Sequence, residues 1–104
     1  MGATYDLGLI KSLVAQNRYL ITKSAMQTAL EIGFDDVDII ECIVEELAES
    51  HFYKTMPAIM AKAVGLWQDV YRIYFRSQHV YLKLQINAQT KAVIISFKED
   101  TSLH

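Results

Sequence analysis

Apolar residues first return at helical spacing: Leu7, Ile10, Leu13 and Val14 share one face, and Thr4 or Asp6 can cap it. The spacing predicts an amphipathic helix over residues 6–16. Residues 18–21 are rich in strand formers, after which Thr22 or Ser24 can cap a second helix through Ala25, Met26, Ala29 and Leu30 that stops at Gly33. Asp35 or Asp36 then opens a third helix with the stripe Val37, Ile40, Val44 and Leu47, broadened by Ile39 and Ile43, while Glu41, Glu45, Glu46 and Glu49 face outward.

After Ser50 the period falls from near four to near two, the mark of a change from helix to sheet. Residues 52–56 read as a short strand ended by Pro57, 58–65 as a connection, and 66–75 as a long aromatic strand. A turn at 77–79 leads to Val80, Leu82, Leu84 and Ile86 alternating with Tyr81, Lys83 and Gln85. A polar turn at 87–91 then precedes Val93, Ile95 and Phe97 alternating with Ile94, Ser96 and Lys98. The expected architecture is α+β: three N-terminal helices packed on one face of a twisted, mainly antiparallel sheet, with the other face partly open. One domain spanning residues 1–104 is expected, since this length with 52% hydrophobic residues can build one core.

Composition narrows the function classes. No apolar run reaches the length of a membrane span and no leader-like N-terminus is visible, so a soluble, cytoplasmic protein is expected. Cys42 is the only cysteine and sits among Ile39, Ile40, Ile43 and Val44, which excludes a disulfide within the chain and points to a small core residue. The net charge of −2 hides a division: residues 1–50 carry three basic against nine acidic side chains, and the remainder seven basic against three acidic. A basic half of this kind fits a polyanionic partner, and equally two solvated faces of opposite sign.

Strand parity collects the polar residues of the basic half on the sheet face away from the helices: Tyr81, Lys83 and Gln85, then Ser96 and Lys98, then Gln68, Val70, Arg72 and Tyr74, with Phe52, Tyr53, Lys54 and Met56 close by. Trp67, Tyr71, Ile73 and Phe75 have the opposite parity and are expected in the core. Rings that stack on bases, interleaved with cations that hold phosphates, are how single-stranded RNA is commonly bound. RNA can be cut without a metal when its own 2′-hydroxyl attacks the neighbouring phosphorus, and Lys, Arg and Tyr can supply the base, the acid and the positive charge. Asp69, Glu99 and Asp100 are scattered and lack metal-ligand spacing, so neither a metal nor another cofactor is expected. His51 and His79 offer a rival two-histidine acid and base pair.

The runs Glu49-Ser50-His51-Phe52-Tyr53-Lys54-Thr55-Met56, Trp67-Gln68-Asp69-Val70-Tyr71-Arg72, Val80-Tyr81-Leu82-Lys83 and Ser96-Phe97-Lys98-Glu99 together resemble the MqsR family of toxins. The resemblance spans residues 49–99, with weaker support from Thr22-Lys23-Ser24-Ala25 and Leu30-Glu31-Ile32-Gly33. It implies a fold like that of the RelE-type ribonuclease toxins, metal-independent cleavage of messenger RNA at GCU-like sequences, and neutralisation by a zinc-containing MqsA antitoxin. It also implies cutting residues at Lys54, Gln68, Tyr81 and Lys98, with Tyr53, Met56 and Arg72 around them; face parity adds Lys83 to the RNA-binding set. The turn at 87–91 is longer than in the family pattern and has Asn87 and Ala88 where a histidine is expected, and the segment 57–65 is unusually rich in alanine. A non-catalytic RNA- or protein-binding module is the alternative function, with strand addition at a sheet edge as its means.

Overall fold

The computed structural model describes residues 2–58 and 66–101. Helix α1 (Leu7–Ala15) begins where the Asp6 carboxylate accepts the Gly8 N–H, and it buries Leu7, Ile10, Leu13 and Val14 as the periodicity requires. The chain then enters strand β1 (Tyr19–Ile21) before helix α2 (Lys23–Glu31), which is capped by the Thr22 hydroxyl on the Ala25 N–H. Gly33, at φ +90°, reverses the chain in the left-handed region that side chains avoid. Helix α3 (Asp36–Glu41) starts with a reciprocal pair of bonds between Asp35 and Asp38 and runs into a π turn at Cys42–Glu46. A 3₁₀ turn at Glu49–His51 leads to strands β2 (Phe52–Pro57), β3 (Trp67–Phe75), β4 (Gln78–Ile86) and β5 (Ala92–Glu99). From residue 59 on, the connection expected over 58–65 lies outside the described residues.

The sheet order is β1-β5-β4-β3-β2. Three of its pairings are antiparallel, but β1 lies parallel to β5, with Tyr19 opposite Ala92 and Ile21 opposite Ile94. The sheet is therefore mixed rather than wholly antiparallel, and the strand formers of residues 18–21 supply β1 between the first two helices, so the N-terminal half contributes a strand as well as helices. Helix-borne Ile10, Val14, Ala25, Ala29, Ile39 and Ile43 pack with Tyr71, Ile73, Leu82, Leu84, Ile94 and Phe97 in one buried cluster. Phe34 joins it between Phe75 and Phe97, at ring distances of 5.3 and 5.9 Å.

Three assignments of the core change. In α3 and its π turn the buried side chains are Ile39, Cys42, Ile43 and Leu47, whereas Val37 is 64% exposed. The inward face therefore centres on the Ile39 and Ile43 edge of the expected stripe, with Leu47 buried, Ile40 and Val44 partly buried and Val37 outside it, and the π turn widens the last turn of the helix. Trp67 is half exposed at the end of β3 rather than in the core. In β5 a bulge at Ile95 pairs Ser96 with Lys83 but Ile94 with Leu84. An extra residue reverses the alternation there, so Ile94 and Phe97 are buried among the helices and Val93 faces the other side.

Candidate active site

The face of the sheet turned away from the helices is built from cross-strand rows. One row runs Arg72, Tyr81, Lys98 across β3, β4 and β5. The next runs Lys54, Val70, Lys83, Ser96 from β2 to β5, and beyond it Met56 lies opposite Gln68. Directly opposed residues on neighbouring strands share a face and stand close together, which is how four strands bring these side chains to one place. A second bulge, between Phe52 and Lys54, lets Phe52 point inward while Tyr53 stays with the cations. The Phe52 ring meets the Tyr71 ring at 5.6 Å in the core. The Tyr53 ring lies 4.6 Å from the Arg72 guanidinium carbon and 5.4 Å from Lys54 Nζ. Lys98 Nζ in turn sits 5.2 Å from the Tyr81 ring.

All eight side chains singled out from the sequence thus lie on one surface: Lys54, Gln68, Tyr81, Lys98, Tyr53, Met56, Arg72 and Lys83. Their fields overlap. Partial burial, then the positive charges of Lys98 and Lys54, pull the Lys83 pKa below the ordinary lysine range. Burial, then the negative charge of Asp100, pushes the Tyr81 phenol up, so that it is a neutral donor at neutral pH. Val70 is fully buried beneath the lysine row and supplies an apolar floor between Lys54 and Lys83.

Asp100 is the residue that sequence reading passed over as a scattered acid. Its carboxylate is buried and accepts the Arg72 Nε–H at 2.8 Å, while its backbone N–H donates to the His79 carbonyl. The bond to Asp100 holds the Arg72 guanidinium more firmly protonated than usual and fixes its plane against Tyr53. The signal was available in parity, since Asp100 lies two residues beyond Lys98, just past the end of β5, and would fall on the same face if the strand were continued.

The two histidines do not converge. His51 Nδ1 accepts the Ala48 N–H at 3.0 Å within the 3₁₀ turn, and the His79 ring packs on Tyr74 at the far end of the β3–β4 hairpin. Among the described residues, no group of three His, Cys, Asp or Glu side chains is placed to hold a metal ion. Likewise no helix among them is long and apolar enough to cross a membrane.

A family model described as "Motility quorum-sensing regulator, toxin of MqsA" matches residues 2–99. The chain belongs to this MqsR toxin family. One curated relative, the mRNA interferase toxin MqsR of Escherichia coli (strain K12), is 37% identical over 93 residues, which cover 89% of this chain and 90% of the relative. The match takes in the helices as well as the sheet, so the MqsR pattern extends beyond the segment 49–99 that carries its most specific residues.

Proposed function

We propose that this chain is the toxin of a toxin–antitoxin pair, acting in the cytoplasm as a single-domain endoribonuclease that cuts messenger RNA and so halts translation and growth. Family membership and the name of the E. coli relative support the activity, and the aligned rows of lysine, arginine and tyrosine on an open sheet face support its location. That surface offers cations to the phosphates and rings to unpaired bases, as single-stranded RNA requires. A RelE-like fold, a GCU-like preference and a proteinaceous MqsA-like antitoxin belong to the same proposal, with the altered turn at 87–91 as the place where base preference diverges.

In the proposed reaction the RNA 2′-hydroxyl loses its proton and its oxygen attacks the adjacent phosphorus. The bond from phosphorus to the 5′-oxygen breaks, a 2′,3′-cyclic phosphate forms, and the leaving oxygen takes up a proton to become a 5′-hydroxyl. Lys54 and Lys98 act on the phosphate and the leaving oxygen, a lysine assists removal of the 2′-proton, Tyr81 as a neutral phenol donates a hydrogen bond to the phosphate, and Gln68 positions the RNA. Arg72, held charged by Asp100, stabilises the phosphorane, while Tyr53, Met56 and Lys83 line the path. Lys83, its proton loosened by partial burial and then by the charges of Lys98 and Lys54, adds a third cation to the surface those lysines line.

Purified protein is incubated with a single-stranded RNA containing GCU, with and without EDTA, and the ends of the products are analysed. The expected result is cyclic-phosphate ends that EDTA does not affect, with cleavage reduced about 10²- to 10⁴-fold in Lys54→Ala and Lys98→Ala, whose circular dichroism is unchanged. Full activity in both variants refutes the assignment, and RNA that is bound yet intact favours the non-catalytic binding module.

A further inference from the structure

Beyond the Arg72, Tyr81, Lys98 row, the same sheet face continues into a cavity of about 280 Å³ lined by Arg72, Ile73, Tyr74, His79 and Asp100. Tyr74 and His79 are directly opposed on β3 and β4, and their rings lie 4.8 Å apart at 53°. Tyr74 is 63% exposed, while its neighbours Ile73 and Phe75 are buried on the helical side, so the fold does not need this ring for its core. The pair stands two residues along each strand from Arg72 and Tyr81, about 7 Å by strand rise, a distance one nucleotide can bridge. Arg72 borders both places, with its Nε held by Asp100 and its outer nitrogens not used in that bond. An exposed aromatic ring, buttressed by a second and set beside a fixed cation, matches a nucleobase whose own phosphate lies on the cationic row.

Resting on the ribonuclease reading above, we propose that Tyr74 and His79 form a stacking subsite for one unpaired nucleobase of the RNA, adjoining the cleaved phosphate. Stacking tolerates any base, so the subsite adds affinity and holds the strand in line without reading sequence. The competing structural role is a cross-strand pair that only stabilises the hairpin.

The test uses a short single-stranded RNA and a set in which each nucleotide in turn is abasic, assayed with the wild-type chain, Tyr74→Ala and Tyr74→Phe. Tyr74→Ala is expected to lower kcat/KM about 5- to 100-fold, and Tyr74→Phe to retain most of it. One abasic position beside the cut should lower wild-type turnover by a similar factor and have no further effect in Tyr74→Ala. Independent, multiplying losses at every position, or a Tyr74→Ala variant that loses stability but not kcat/KM, overturn the subsite and leave the cleavage reading standing. Fluorescence anisotropy on the same oligonucleotides separates the two claims: coupling in binding without any cutting supports the subsite and refutes cleavage. RNA that is neither bound nor cut overturns both.

Discussion

Asp69 is a carboxylate with no solvent exposure, on the opposite side of β3 from Gln68 and Arg72, and it accepts the backbone N–H groups of Thr4 at 2.9 Å and Tyr5 at 2.8 Å. It ties the N-terminal segment under the sheet, where the Tyr5 hydroxyl also donates to the Trp67 carbonyl. Replacing Asp69 with Ala removes two charge-assisted bonds of about 1.5–3 kcal/mol each and strands two partly buried donors. Against that, the variant no longer holds an ionised carboxylate out of water, which by itself costs several kcal/mol. The net destabilisation is about 2–4 kcal/mol, a fall in Tm of about 10–30 °C for a chain of this size. Asp69→Asn keeps one acceptor oxygen but turns an amide N–H toward the second donor, so it should lie between, at about 1–2 kcal/mol. Urea denaturation followed by circular dichroism checks the order, with an unchanged m-value as the sign that only stability has moved. Equal midpoints in all three proteins, or an Asn variant no better than Ala, refute the argument. At temperatures where all three remain folded, RNA cleavage should be unaffected, because Asp69 does not reach the open face.

Lys83 gives stability a pH dependence of definite sign. Its folded pKa lies below the ordinary 10.5, so below that folded pKa the charged ammonium is penalised in the folded state; the penalty is relieved as pH rises from the folded pKa to the unfolded one. Lys83→Met should raise the urea midpoint at neutral pH, and the wild type should gain on it toward about pH 10; a wild type that instead loses ground would contradict the assignment. Cys42 is buried, and its thiol is pushed up to about 12 by burial and then by Glu46. Native protein should therefore resist iodoacetamide near pH 8 and react once unfolded, and alkylation of the native form at the rate of a free thiol would show that the site opens.

Much of the frame can be read locally. Asp6, Thr22 and Asp35 cap helices because a short polar side chain before an apolar period satisfies the first free N–H groups wherever the helix later packs. Alternation in residues 67–75 and 78–86 placed Gln68, Arg72, Tyr81 and Lys83 on one face, because a two-residue period needs no knowledge of the partner strand. The resemblance carried by residues 49–99 named the family before any geometry was known, and the match over residues 2–99 bears that out.

Other features depend on what a residue meets across the fold. Nothing in Val93-Ile94-Ile95 marks which residue is extra, since all three favour strands; the bulge at Ile95 is set by the fit of Ile94 and Phe97 against the helices. The parallel docking of β1 on β5 joins segments about seventy residues apart, and a three-residue strand carries no signal for its partner. Trp67 looked like core by parity but sits at a strand end where the helical layer does not cover it. Asp69 and Asp100 read alike as isolated acids, yet one clamps the N-terminus and the other orients Arg72, because a buried carboxylate takes its role from the donors that folding brings to it. By itself the sequence narrowed each helix start to one of two capping residues and determined the strand periods and the cationic, aromatic character of one face. Tertiary structure alone decided the register, the bulges and the partners of the buried acids, because those depend on contacts between residues far apart in the chain.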